Sequence, residues 1–338
     1  MNDIACSHKN QADICHDENQ EILLDIHPKT GKVNQWARKK AQTNLLAASH
    51  QRISSIDPDF ENRSARLLEC GRWLEFKKYV ETGQKTLNRA NFCKYRLCPM
   101  CSWRRSLKTF GQTSKIMDEA EKQGYAFVFV TLTIKNCFKS ELSRTLDHLY
   151  QSLTRFDRLK AVKNAVCGHM EVIEITHNVD KKSDSYDTFH PHIHAIWAVK
   201  PSYFTSKDYI SKSKLIEIWR ESLQVAYDPS VSIDRANTAN KGHIREVSKY
   251  MVKPGEILQA DPDLTDSVVW SLDRALFNRR MVFYKGILKQ IRASFHFDDP
   301  ETGDLVHVDG EEVENPDLKF ILEKYAWHVG YKQYSRIS

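Results

Sequence analysis

Four cysteines lie close together at a spacing typical of metal sites. Cys98 and Cys101 are separated by two residues, and Cys70 and Cys93 precede them in the same part of the chain. The close pair forms a knuckle whose thiolates converge on one ion, and four thiolates complete a tetrahedral site with no position left for a substrate. The spacing therefore predicts a structural zinc site, with buried free thiols or a redox pair as the alternatives.

A second group of candidate ligands lies in residues 189–194, Phe-His-Pro-His-Ile-His. Side chains two apart on a strand face the same way, so His192 and His194 point together as a pair of metal ligands. The neighbouring predicted strand, residues 171–176, supplies Glu174 or Glu171 as a third ligand. Two imidazoles and one carboxylate suit Mn²⁺, and Mg²⁺ is the second candidate although it prefers oxygen ligands.

A third group is found in residues 243–253. Glu246, Tyr250 and Lys253 stand at i, i+4 and i+7, so a helix over residues 244–252 places them on one stripe and apolar residues on another. A carboxylate, a phenol and an ammonium group in one row suit nucleophilic and acid–base chemistry on a phosphate. Taken alone, the pattern is more typical of a surface helix with an exposed tyrosine.

The charge of the chain is divided into two opposed blocks. The net charge is +6, but residues 82–117 carry eight Lys or Arg and no acid, and residues 293–318 carry nine Asp or Glu and no Lys or Arg. A basic block beside a metal-binding segment predicts contact with the phosphates of a nucleic acid. The candidate contacts are Arg96, Arg104, Arg105, Lys108 and Lys249. We hypothesise that the acidic block folds over the basic surface as an internal DNA mimic.

The elements that position these residues are predicted to form an α+β fold, with a central antiparallel sheet, flanking helices and a small zinc-binding segment before the sheet. Predicted strands cover residues 125–134, 171–176 and 192–199, and predicted helices cover 36–49, 141–165, 212–226, 244–252 and 317–328. The strands over 171–176 and 192–199 are joined by a loop and are expected to pair antiparallel.

The composition excludes several classes of protein. The chain has 338 residues, of which 41% are hydrophobic and 28% charged, which is typical of globular proteins and excludes collagen, coiled coils and wholesale disorder. Its longest apolar run, residues 125–134, is about half the length of a membrane span. No secretion signal is recognisable at the start. The sequence thus predicts a cytoplasmic protein without a membrane partner, and it leaves the oligomeric state open.

Together, these patterns resemble the rolling-circle replication initiator (Rep) proteins of small bacterial plasmids, in the HUH endonuclease superfamily. The matching stretches are, in chain order, residues 91–105, 129–133, 174–176, 190–194 and 246–250. The resemblance implies an enzyme that nicks one strand of single-stranded or supercoiled origin DNA through a 5′-phosphotyrosine and frees a 3′-hydroxyl to prime synthesis. It also implies termination by a second cleavage and strand transfer, with a host helicase and DNA polymerase as partners.

The resemblance also implies roles for individual residues. Tyr250 matches the nucleophile, and Glu246 matches the carboxylate that activates water at termination. His192 and His194 match the metal-binding pair, with Glu174 as the third ligand. The phenol needs such help, because a tyrosine with a pKa near 10 is only about 0.1% phenolate at pH 7.

Composition and the resemblance, which covers about residues 66–256, together give a domain prediction. Residues 1–64 are expected to be a polar, mobile region, 65–117 the basic zinc-binding segment, 118–260 the HUH nicking domain and 261–338 a C-terminal region with an acidic hairpin.

Three other functions fit parts of the pattern: a transposase or relaxase with the same chemistry, a non-enzymatic zinc-dependent nucleic-acid-binding module, and a small-molecule metallohydrolase. The last would leave the basic block and Tyr250 without a role.

Overall fold

The structure is a computed structural model that describes residues 21–26, 31–236, 241–249, 251–308 and 317–337. The helices are α1 (Trp36–Ile53), α2 (Asp59–Glu69), α3 (Pro99–Lys122), α4 (Leu142–Arg158), α5 (Lys160–Ala165), α6 (Lys212–Leu223), α7 (Gly242–Val247), α8 (Pro254–Ile257), α9 (Pro262–Leu276) and α10 (Gly286–Ser294). The strands are β1 (Trp73–Tyr79), β2 (Lys85–Ala90), β3 (Ala126–Thr133), β4 (Gly168–His177), β5 (Phe189–Val199), β6 (Val231–Ala236), β7 (Val282–Lys285), β8 (Phe320–His328) and β9 (Gln333–Arg336).

A five-stranded antiparallel sheet lies at the centre, in the order β6-β3-β5-β4-β7. Both faces are covered, because alternate residues of β3 belong to two different hydrophobic clusters. Val128 and Val130 pack with the apolar side of α4 and α6, whereas Phe127 and Phe129 pack with α3, α7 and α10. The predicted α+β fold with a central antiparallel sheet is confirmed, including the antiparallel pairing of β4 with β5.

A second antiparallel sheet has the order β2-β1-β8-β9 and joins distant parts of the chain. Strand β8 pairs with β1 from Trp73↔Ala326 to Tyr79↔Phe320. The predicted helix over residues 317–328 is therefore wrong. Alternating burial of Glu323 and Tyr325 fits a strand, and the hydrogen bonds come from a partner that precedes β8 by most of the chain length.

The region before residue 64 is also more ordered than the sequence suggested. Trp36, at the start of α1, packs edge-on against Phe76 and Trp103, with ring centroids 5.7 and 4.7 Å apart. Helices α1 and α2 thus cover the cysteine segment instead of forming a mobile tail, while residues 1–20 and 27–30 lie outside the described part. The predicted domain boundaries remain predictions. Among the described helices, none is both long and apolar enough to cross a membrane.

Candidate metal centres and active site

Three buried side chains converge at the middle of the central sheet. The register of β4 and β5 places Glu174 directly opposite His192. The carboxylate oxygen Oε2 of Glu174 lies 3.5 Å from His192 Nε2 and 3.3 Å from His194 Nε2. These ligand atoms are close enough to surround one cation, so the residues fit a divalent ion held by two imidazoles and a carboxylate.

Both imidazoles are oriented by hydrogen bonds on their far side. His194 Nδ1 lies 3.2 Å from the hydroxyl of Thr131, on the adjacent strand β3. His192 Nδ1 lies 3.1 Å from the carbonyl oxygen of His190, which accepts its proton. Such contacts fix the direction of each ring, so each Nε2 is left to face Glu174.

The choice between the two candidate carboxylates follows from strand alternation. Glu171 is an odd number of residues from Glu174 and faces the other side of the sheet, where Lys285 Nζ lies 2.8 Å from its Oε2. Of these two carboxylates, only Glu174 approaches His192 and His194.

The electrostatics of Glu174 favour its ionised form. Burial acts to raise its pKa, but the neighbouring His192 and His194 and the ammonium group of Lys253 outweigh burial, and the pKa lies well below the ordinary value. Lys253 Nζ lies 3.0 Å from Glu174 Oε1. This pairing raises the pKa of Lys253 although burial acts to lower it. The site therefore holds a carboxylate ready to bind a cation beside an ammonium group that also pairs with Glu256.

Residues 242–249 and 251–253 also approach Glu174, His192 and His194, but they do not form the predicted continuous helix. Helix α7 ends at Val247, and Lys253 precedes the separate helix α8. The main chain leaves the helix because the carbonyl of Met251 accepts a hydrogen bond of 2.7 Å from the backbone N–H of Ile175 in β4, and because a proline follows Lys253. The prediction of a helix over 244–252 is therefore wrong.

Glu246 nevertheless reaches the metal-capable cluster. Its Oε1 lies 3.9 Å from His194 Nε2, and its other carboxylate oxygen forms a salt bridge with Lys249. Tyr250 lies outside the described residues. The residues flanking it are tied to the site, Lys249 through Glu246 and Met251 through β4.

The four predicted cysteine ligands also come together. Sulfur–sulfur distances are 3.6 Å for Cys70–Cys98, 3.5 Å for Cys70–Cys101 and 3.6 Å for Cys93–Cys101. A tetrahedral zinc ion with bonds near 2.3 Å separates its thiolates by about 3.8 Å. All four side chains are buried, so the geometry fits a closed structural zinc site.

Sequence reasoning missed one residue of this centre. Lys40 of α1 is buried, and its ammonium group donates hydrogen bonds to the carbonyls of Leu68 and Cys70, at 2.6 and 2.9 Å. Four thiolates around a divalent ion leave a net negative charge, and a buried ammonium beside them offsets it. No local signal distinguishes this lysine from the exposed ones, because a lysine in a helix ordinarily lies at the surface.

The predicted DNA contacts on α3 require a correction. Arg104, Arg105 and Lys108 are buried, at 0%, 6% and 1% exposure. Arg104 donates to the carbonyls of Leu305 and Val306, and Lys108 pairs with Asp298. These three cations bind the chain's own residues 298–306 and do not face solvent.

The other two predicted contacts differ in exposure. Arg96 pairs with Glu301 at 2.9 Å and is a quarter exposed, and Lys249 is nearly half exposed beside Glu246.

Comparison with known proteins identifies similar sequences over most of the chain. A family profile described as "Replication protein" matches residues 84–335. A "Protein rep" of Bacillus amyloliquefaciens is 34% identical over 94% of this chain and 98% of its own length. A "Protein rep" of Streptococcus pneumoniae serotype 2 is 36% identical over 88% of this chain and 91% of its own, and one of Lactiplantibacillus plantarum is 33% identical over 92% and 98%. No solved structure matches the chain.

Proposed function

Because the chain belongs to the Rep family of replication proteins, we propose that it initiates rolling-circle replication of a plasmid by nicking one DNA strand at the origin. The observation that carries this proposal is the convergence of Glu174, His192 and His194 with Glu246 and Lys253. A closed structural site would not need a carboxylate and two lysines beside its ligands, whereas a phosphoryl-transfer site does.

The first cleavage is assigned to Tyr250. Its phenolate oxygen attacks the scissile phosphorus, the bond from phosphorus to the 3′-oxygen breaks, and that oxygen takes a proton to become the 3′-hydroxyl that primes synthesis. One phosphodiester replaces another, so the linkage can later be rejoined. A Mn²⁺ or Mg²⁺ ion held by Glu174, His192 and His194 supplies charge that polarises the phosphate.

The lysines and Glu246 complete the chemistry. Lys253 lies beside Glu174 and neutralises charge on the phosphate, while Lys249 holds the carboxylate of Glu246 in place. In the second cleavage Glu246 takes a proton from water, and the resulting hydroxide, in place of a second tyrosine, attacks the second scissile phosphorus. The bond from that phosphorus to the 3′-oxygen breaks. The freed 3′-hydroxyl then attacks the phosphotyrosine, which rejoins the strand and releases the phenol of Tyr250.

The partners follow from this chemistry. The substrate is single-stranded or supercoiled origin DNA, a host DNA polymerase extends the freed 3′-hydroxyl, and a host helicase separates the strands ahead of it. Zn²⁺ at Cys70, Cys93, Cys98 and Cys101 has a structural role in this proposal, because four thiolates leave no open coordination position.

The test is formation of a covalent adduct. The full-length protein is incubated with Mn²⁺ and single-stranded oligonucleotides that carry candidate origins, and SDS-resistant complexes are mapped by mass spectrometry. We expect an adduct on Tyr250 that is lost in Tyr250→Phe and in His192→Ala. Tyr209→Phe is the matched control, because Tyr209 is 50% exposed and lies outside the site.

A second variant separates the two cleavages. Glu246→Gln is expected to form the first adduct but to accumulate it, since the second cleavage, which frees the 3′-hydroxyl that displaces Tyr250, needs the carboxylate. If the zinc-loaded protein binds DNA tightly yet forms no adduct with any substrate, the non-enzymatic zinc-dependent binding module becomes the better interpretation.

A further inference from the structure

The four-stranded sheet has one buried face and one face directed away from the core. Leu74 and Phe76 of β1 and Tyr325 of β8 are fully buried. The alternate residues of both strands share the opposite side, since Trp73 pairs with Ala326 and Lys77 with Leu322. We call this side the outer face; its described members on β1, β2 and β8 include Trp73, Glu75, Lys77, Arg89, Phe320, Leu322 and Lys324.

Large apolar side chains stand exposed on the outer face beside cations. Phe320 and Leu322 are 44% and 51% exposed. Lys77 Nζ lies 4.8 Å from the ring centroid of Phe320, and Lys324 Nζ lies 5.1 Å from that of Trp73. Phe320 also packs edge-on against the buried Tyr79, with ring centroids 6.1 Å apart, and Trp73 is half-buried. A flexible ammonium group lies over each of the rings of Trp73 and Phe320, and it can move aside when another flat partner arrives.

The fixed charge of the outer face is positive. Lys77, Lys324 and Arg89 contribute three positive charges, and Arg89 has a side chain that is 75% exposed. Glu75 is the one acid among the described members of this face; its side chain is 17% exposed and accepts a hydrogen bond of 2.6 Å from Asn88. The cations of α3 that the sequence suggested for DNA are buried, whereas Lys77 and Lys324 are partly exposed and Arg89 is exposed although its Nε lies 3.9 Å from Glu75 Oε1.

We propose that the outer face is a second DNA-binding surface that holds a single strand, with bases stacked on Trp73 and Phe320 and phosphates paired with Lys77, Arg89 and Lys324. Unpaired bases offer flat faces to such rings, whereas a duplex keeps its bases stacked inside. This inference extends the proposed function, because a nicking initiator must hold a strand released from its duplex. It does not depend on the cleavage chemistry.

The test measures the binding of the full-length protein to fluorescent oligothymidine, which carries no origin sequence, by fluorescence polarisation. The charge variant combines Lys77→Gln, Arg89→Gln and Lys324→Gln. We expect its affinity to fall about tenfold or more at low salt, and the slope of log affinity against log salt to decrease by about 2, since each phosphate contact on a single strand contributes about 0.7. The control combines Lys160→Gln, Lys207→Gln and Lys212→Gln, which remove the same charge from exposed positions elsewhere.

The aromatic variant tests the stacking. Trp73→Leu with Phe320→Leu keeps apolar bulk but removes the rings, and we expect single-strand affinity to fall about tenfold while the affinity for a duplex of equal length is unchanged. Thermal melting checks that each variant folds. Equal affinity of the charge variant and its control overturns the proposal. A loss that is the same for duplex and single strand in the aromatic variant overturns the assignment to single strands.

These outcomes are separate from those of the cleavage test. A protein that forms no adduct but loses oligothymidine binding in both variants of the outer face would contradict the proposed chemistry and support this surface. Adduct formation together with unchanged oligothymidine binding in both variants would support the proposed chemistry and contradict binding at the outer face.

Discussion

At the candidate catalytic centre, the direction of each imidazole depends on one hydrogen bond at its far nitrogen. Thr131→Val removes the hydroxyl near His194 Nδ1 at almost constant volume. We expect Mn²⁺ affinity to fall about tenfold, because groups that orient metal ligands typically contribute this much. Calorimetric titration of the zinc-loaded protein measures it.

Thr133→Val is the matched control for this prediction. Thr133 lies two residues further along β3, and its hydroxyl donates to the carbonyl of Ser230 instead of to a histidine. Equal Mn²⁺ affinities of the two variants and the unchanged protein would mean that Thr131 does not position His194.

At this scale the sequence predicted which metal-capable side chains lie together, but not which cations are exposed. The grouping of His192, His194 and Glu174 could be predicted because strand alternation fixes which side chains share a face. The burial of Arg104 and Lys40 could not be predicted, because the local sequence does not distinguish a buried cation in a helix from an exposed one. Whether it binds a phosphate or a carbonyl of the same chain depends on segments far away in the sequence.

At the scale of single elements, strand β8 depends on a buried carboxylate. Glu323 is fully buried, and Lys85, Lys78 and the hydroxyl of Tyr325 surround it. Burial acts to raise its pKa, but these hydrogen bonds outweigh burial and lower the pKa to about 2. Its contribution to stability is therefore fully present above the ordinary pKa of about 4.5 and is lost as the pH falls towards 2.

The expected result is a pH-dependent difference in melting temperature. Glu323→Gln should melt well below the unchanged protein at pH 7, and the gap should narrow steadily below pH 4.5. Because the thiolate site also weakens in acid, the two proteins are compared at each pH, with the exposed Glu81→Gln as a control for charge. A gap that stays constant down to pH 2.5 would mean that Glu323 does not titrate as inferred.

Helices α1 and α2 depend on the cysteine site. Both pack on the segment that holds Cys70, Cys93, Cys98 and Cys101, and Lys40 links α1 to it directly. Removing zinc with a chelator should therefore expose residues 36–69 to proteolysis before the central sheet is cut. Mass spectrometry of the early fragments checks this, and added Zn²⁺ should restore protection. First cleavage in β3 or β5 would contradict it.

Elements that form from local patterns were predictable, and those that depend on distant partners were not. The apolar spacing in α4 and the β-branched run of β3 determine their own structure. Residues 317–328 have an equally good helical spacing, but pairing with β1 makes them a strand. Likewise, the helix expected to carry Glu246 and Lys253 is interrupted because β4 binds the carbonyl of Met251.

For the whole molecule, the described part of the acidic block, residues 298–308, meets the basic helix α3, as the DNA-mimic hypothesis required, but the nature of the contacts argues for a structural role. The rest of the predicted acidic hairpin, residues 309–316, lies outside the described residues. Arg104 and Arg105 bind main-chain carbonyls of residues 301–306, which do not imitate a phosphate. Leu305 and Val308 are buried in the same segment. A segment that competes with DNA has to leave its binding site. Residues 298–308 can leave only by exposing apolar side chains and leaving buried cations without partners.

Glu301→Ala separates the two interpretations. The carboxylate of Glu301 accepts from the backbone N–H of Met281 at 3.1 Å and pairs with Arg96 at 2.9 Å, so its removal leaves a largely buried cation unpaired. We expect the free energy of unfolding, measured in urea, to fall by about 3–5 kcal/mol. The affinity of the folded variant for oligothymidine should stay unchanged. The exposed Glu61→Ala should change stability by under about 0.5 kcal/mol. If Glu301→Ala instead keeps its stability and binds DNA more tightly at low salt, the segment is a displaceable mimic after all.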